Sequence, residues 1–119
     1  MSFCVIVAYA KDNIDKATIG FTLASAALDS KEKVSIILAS EGVRLAVKGY
    51  ADDITNGEPF KPMRHLIDEV LEKGGLIHVC TPCMQKRGIK EEHILARMRL
   101  IAGSDVIRIL KITERSIQL

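Results

Sequence analysis

The sequence predicts a three-layer α/β/α fold in which a mostly parallel sheet of about five strands lies between helices. Three features carry that prediction. Short, continuous apolar runs alternate with longer stretches whose apolar residues recur at helical spacing, and Gly, Pro or Asx residues punctuate most of the changeovers. Strands that alternate with helices imply right-handed crossovers and parallel pairing. No repeat, linker or low-complexity tract divides the 119 residues, so 1–119 reads as a single α/β domain. A chain of this size buries roughly two-thirds of its unfolded surface, enough for a core without cross-links.

The elements follow in order. Residues 3–9 (Phe-Cys-Val-Ile-Val-Ala-Tyr) are continuously apolar and rich in β-branched side chains, as suits a strand covered on both faces. Asp12 and Asn13 are alternative caps for a helix whose stripe is Ile14, Ala17, Phe21, Ala24 and Leu28. A second buried-type strand spans 34–39, and Ser40-Glu41-Gly42 turns it into a short helical stretch over 43–48. Residues 49–58 form the longest polar loop. Pro62 opens the clearest helix, with Met63, Leu66, Ile67, Val70 and Leu71 on one stripe and Gly74-Gly75 as its stop. A third strand covers 76–80. Thr81 as cap and Pro82 at the first helical position start the next helix, which Gly88 closes. A fourth strand is expected around 98–102, a last helix over 105–113 and a short final strand over 116–119.

Composition excludes several functions. Apolar residues at 48% and charged residues at 27% argue against disorder, and a net charge of +2 gives no strong pull toward nucleic acid or anionic membrane. Three Phe, two Tyr and no Trp leave too few stacking platforms for a single-strand binder. No run approaches the ~20 apolar residues of a membrane span, and the first apolar run lacks the basic leader of a signal peptide. Three cysteines cannot form a fully paired disulfide framework, which points to a reducing cytoplasm.

In an open α/β sheet, functional groups gather at the carboxyl ends of the strands. Of the turns expected there, only Cys80-Thr81-Pro82-Cys83 carries distinctive reactivity. Two cysteines spaced around a helix start can approach unpaired backbone amides, which favour the thiolate that attacks sulfur. The bland alternative is a pair of small residues filling a turn. Zinc would draw on this pair with His78 or His93, but a second closely spaced ligand pair is missing, so no metal is expected. His78 lies two residues before Cys80, ~6–7 Å along the strand, and reads as a hydrogen-bonded core residue. His65 and His93 read as surface residues and Cys4 as plain core. Asp52-Asp53 reads as solvated loop chemistry. Neither a Gly-x-Gly-x-x-Gly turn, a Walker A sequence nor a Gly-x-Ser-x-Gly elbow is present, so no nucleotide or other cofactor is expected.

The order of elements, Ser40-Glu41-Gly42-Val43-Arg44-Leu45 after the second strand, and 80–89 (Cys-Thr-Pro-Cys-Met-Gln-Lys-Arg-Gly-Ile) after the third together resemble the DsrE/DsrF-like family. The resemblance spans nearly the whole chain. It implies a compact three-layer domain that assembles as a homotrimer or homohexamer. It also implies a sulfur-relay role, in which a strand-end cysteine carries sulfur as a persulfide between donor and acceptor proteins or small thiols. That role falls on Cys80. Cys83, absent from single-cysteine members, is then an auxiliary or resolving thiol. A Cys-x-x-Cys dithiol redox protein and a non-catalytic oligomeric subunit are the alternatives.

Overall fold

The computed structural model describes residues 1–119. Five strands, β1 (Ser2–Val7), β2 (Lys33–Leu38), β3 (Leu76–Cys80), β4 (Arg99–Ile101) and β5 (Arg115–Gln118), form one sheet in the order β4-β3-β2-β1-β5. Every pairing is parallel. Four α-helices connect them: α1 (Ile14–Asp29), α2 (Met63–Glu72), α3 (Thr81–Lys86) and α4 (Gly103–Ile112). The expected second short helix is a 3-10 segment, Ser40–Ala46, and the 49–58 loop contains a further 3-10 turn, Tyr50–Asp53.

The sheet order dictates the layers. Each step β1→β2, β2→β3 and β3→β4 moves the same way across the sheet, whereas β4→β5 returns to the opposite edge. Crossovers are right-handed, so α1, α2 and α3 fall on one face and α4 on the other. The α1/α2 face holds a core of 22 buried residues, including Val5, Val7, Phe21, Ile36, Met63 and Ile67. Burying side chains of this size is worth ~1.5–3 kcal/mol each relative to exposure. The expected helix stripes are the buried ones: Ala17, Phe21 and Ala24 on α1, and Met63, Leu66, Ile67 and Val70 on α2. Asn13 is the cap of α1, its Oδ1 accepting from the Lys16 amide at 3.1 Å, while Asp12 accepts from the Ala10 amide.

The other face is far more thinly covered. Only Cys4, Ile37 and Ile101 form a buried cluster there, with Ile6, Val106, Ile109 and Leu110 packed partly against it. No residue of α4 is buried, and Ile107 and Ile112 are 57% and 77% exposed. A concavity of about 850 Å³ opens between the sheet and the end of α4, with Met1, Leu76 and Ile112 among its lining. His78 sits on this face, level with Ile37 on β2 and Arg99 on β4. It is 6% exposed, yet neither ring nitrogen has a hydrogen-bond partner. The expectation of a hydrogen-bonded histidine is therefore corrected. Ile37 offers no acceptor, and the Asp105 carboxylate is already engaged by the Ala102 amide and Arg108.

Candidate functional site

The inner strand β3 and the edge strand β4 beside it mark the place where the chain changes sides. Leaving β3, it enters α3 on the α1/α2 face; leaving β4, it enters α4 on the other. Adjacent strands whose exits diverge leave a crevice at their carboxyl ends, the usual ligand position in open α/β sheets. Cys80 is the last residue of β3 and stands at that crevice. The hydroxyl of Thr81 donates to the Ile101 carbonyl at 3.0 Å, tying the start of α3 to the end of β4.

That bond accounts for a shift in the expected helix start. Thr81 is not the cap, because its side chain is committed across the strands; Cys80 holds the cap position and Pro82 the second helical one. Cys83 follows one turn on, and both thiols are free and half-buried. They pack against the edge of the main core without being enclosed by it. The α3 helix has only six residues, so its end supplies a weak field.

The two sulfurs differ in their surroundings. Burial pushes the Cys80 thiol up from its ordinary value, and the neighbouring Cys83 thiol adds to that effect. The Cys83 amide and the charge of Arg87 pull the other way and do not win. The Cys80 sulfur makes no formed capping bond. The expectation that a backbone cap favours the thiolate at both cysteines therefore fails for Cys80, for reasons of desolvation. Cys83 Sγ does accept a formed backbone bond, from the Ser40 amide at 3.2 Å.

Ser40 comes from the turn after β2, the strand beside β3, so the carboxyl ends of two neighbouring strands meet at Cys83. Ser40 has φ +52°, in the left-handed region that a non-glycine residue rarely occupies. A network of charged side chains lies around it. Arg87 Nε donates to Glu41 Oε1 at 2.7 Å, and Arg44 Nε donates to Glu41 Oε2 at 2.7 Å. The same Arg87 donates to the Cys83 carbonyl at 3.1 Å and to Ser40 Oγ at 3.4 Å. Its side chain is only 13% exposed. Bonds from Arg87 and then Arg44 hold the Glu41 carboxyl below its usual range. Next along the segment, Gly42 lies against the Val7 carbonyl, where any added Cβ would clash.

The cysteines are legible in the sequence, whereas the part played by Arg87 is not, and Ser40-Glu41-Gly42 reads there only as a turn. The available signal is the adjacency of consecutive strands, which brings an acid after one and a base after the next to the same sheet edge. The remaining candidates lie elsewhere. Cys4 is fully buried under α4, where desolvation pushes its thiol up to about 11. His65 and His93 are exposed. Asp53 pairs with Lys11 and Asp52 with Arg64 at the surface. Nowhere do three or more His, Cys, Asp or Glu side chains converge as a metal would need.

Fold and site together define a class: parallel three-layer α/β proteins with cysteine at the end of an inner strand, where the helices change faces. Residues 1–119 match the model of the DsrE/DsrF-like family, and the chain belongs to that family. It is similar to the uncharacterized protein MJ0989 of Methanocaldococcus jannaschii, 30% identical over 111 residues that cover 93% of each chain. The uncharacterized protein MK0008 of Methanopyrus kandleri is 27% identical over 114 residues, covering 95% of this chain and 89% of that one. Among solved structures, the ychN protein from E. coli superposes with a TM-score of 0.68 at 13% identity, covering 100% of both chains. BT1422 from Bacteroides thetaiotaomicron, a conserved protein of unknown function, gives 0.69 at 19% identity, covering 99% of this chain and 94% of that one. At such identities the structural likeness is one of fold.

Proposed function

We propose that this protein is a sulfur carrier with sulfurtransferase-like chemistry, holding sulfane sulfur on the Cys80–Cys83 pair. Cys80 is the carrier and Cys83 the auxiliary thiol. One observation carries this reading: two free, half-buried thiols share the strand-end crevice, and one of them already accepts a backbone amide from the neighbouring strand's turn. A thiolate held by an amide donor attacks a sulfane sulfur, and the resulting persulfide passes its outer sulfur to an acceptor thiolate. Family membership supports the sulfur-relay role. Free thiols of this kind suit a reducing compartment such as the cytoplasm, and no helix is long and apolar enough to cross a membrane.

The test is to incubate reduced protein with polysulfide and weigh it intact. The native chain gains the mass of one sulfur atom, and a Cys80→Ser, Cys83→Ser double variant gains none. Equal gain by both proteins would end the proposal. Donors and acceptors are small persulfides or partner proteins presenting a thiol at the crevice. Assembly into a homotrimer or homohexamer belongs to the same reading, and the exposed Leu76, Ile107 and Ile112 support it. Sedimentation showing a strict monomer at micromolar concentration would remove that part.

A further inference from the structure

We infer that Cys83 is the sulfur that attacks the donor first, and that Arg87, clamped by Glu41, is the positioning residue that holds the Ser40 amide on it. This rests on the sulfur-carrier reading for its substrate, but the order of thiol reactivity can be tested without any sulfur donor.

The argument is geometric. Cys83 Sγ accepts a formed backbone N–H bond from Ser40 at 3.2 Å, whereas the Cys83 amide beside Cys80 makes no formed bond to the Cys80 sulfur. An amide aimed at sulfur stabilises the charge there more than it stabilises the neutral thiol. Left alone, that amide would turn away, because Ser40 occupies a left-handed conformation that costs about 1–2 kcal/mol for a residue with a side chain. Four contacts oppose the relaxation. Arg87 reaches the Glu41 carboxylate, the Ser40 hydroxyl and the Cys83 carbonyl, and Gly42 wedges the following turn against the Val7 backbone. A single guanidinium thus bridges the turn that gives the amide and the helix that bears the sulfur. Its planar fork suits that task in a way that a lysine ammonium does not. Cys80 lies beside Cys83 at the core edge, where desolvation favours its protonated form.

With a persulfide donor R–S–SH, the Cys83 thiolate attacks the outer sulfur. The Cys83 S–S bond forms, the donor S–S bond breaks, and the electron pair leaves on RS⁻. The Cys83 sulfur is oxidised and the donor sulfur reduced, with no external oxidant. The leaving RS⁻ takes the proton from Cys80. The new Cys80 thiolate then attacks the outer sulfur of Cys83–S–SH, giving Cys80–S–SH and restoring the Cys83 thiolate. Loading and carrying are thereby divided between the two thiols.

The test uses limiting iodoacetamide on the reduced full chain, with peptide mass mapping across pH 6–9. Cys83 should be labelled first, ahead of Cys80. In Glu41→Gln and Arg87→Gln proteins with native circular dichroism, Cys83 labelling at pH 7 should slow about fivefold, as loss of one modest hydrogen bond implies. The ratio of Cys83 to Cys80 labelling should fall with it, whereas a merely structural loss would speed both. Arg87→Lys should not restore the rate; full rescue would show that charge alone suffices and would overturn the positioning role. Cys80 labelled first in the native chain would overturn the order of attack. Those results stand whether or not polysulfide loads the protein, so a failure of the carrier reading is seen separately, as absence of mass gain.

Discussion

On one side of the sheet, α1 and α2 press Phe21, Met63 and Ile67 into β1, β2 and β3 and leave 22 residues buried. On the other, the ten residues of α4 cover three buried side chains and leave a histidine with no partner for either ring nitrogen. The difference follows from topology. Three crossovers running one way stack three helices on one face, and a single return crossover leaves one helix for the other. The packed face fixes the fold and holds the strand ends rigid. The thin face buries less and leaves apolar side chains such as Ile107 and Ile112 exposed.

The largest test of this contrast is truncation in each face. Phe21→Ala should destabilise the protein by about 3–5 kcal/mol, and Ile101→Ala by about 2 kcal/mol or less, read from urea unfolding midpoints. Equal losses would break the comparison. Next comes Gly42→Ala, which drives a Cβ into the Val7 carbonyl. A loss of about 1–3 kcal/mol is expected, together with slower labelling of Cys83, because the Ser40–Ala46 segment must shift.

His78 sharpens the contrast at smaller magnitude. Replacing it by Leu removes two unsatisfied buried nitrogens and should stabilise the chain by about 1–2 kcal/mol. Destabilisation instead would reveal a hydrogen-bond partner supplied by another chain. The substitution also changes the pH dependence. Burial first, and then the Arg99 charge, lower the His78 pKa, against a smaller opposing effect of Asp105. Its folded value thus lies below the unfolded value of about 6.5, and between the two the unfolded chain binds a proton that the fold does not. The His78 contribution is full above about pH 6.5 and is lost as pH falls toward the folded value, so the gain in His78→Leu should be greater at pH 5.5 than at pH 8. Thermal melts at the two pH values measure it. The smallest effect concerns Cys4, which should resist iodoacetamide at pH 8 while Cys83 is labelled, because burial raises its thiol to about 11.

How much of this was legible varies by element. The third strand and its cysteines read directly, since 76–80 is a short apolar run bounded by Gly75 and Pro82. The α2 helix did too, because its stripe is one-sided and its flanks are Pro and Gly. The start of α3 lies one residue earlier than expected, as Thr81 carries a good capping side chain that Ile101 of β4, twenty residues later in the chain, claims instead. His78 was misjudged because a histidine in an apolar run gives no sign of whether its neighbours offer acceptors.

Local sequence determined the strands, the helices, the helix stops and the placing of Cys80 and Cys83 at a strand end, because those depend on side-chain periodicity and backbone chemistry within a few residues. The tertiary structure alone decided which thiol meets an amide, which carboxylate holds Arg87 and which sheet face stays thin. Those outcomes depend on strand order and crossover hand, which join residues some forty positions apart and leave no trace in spacing.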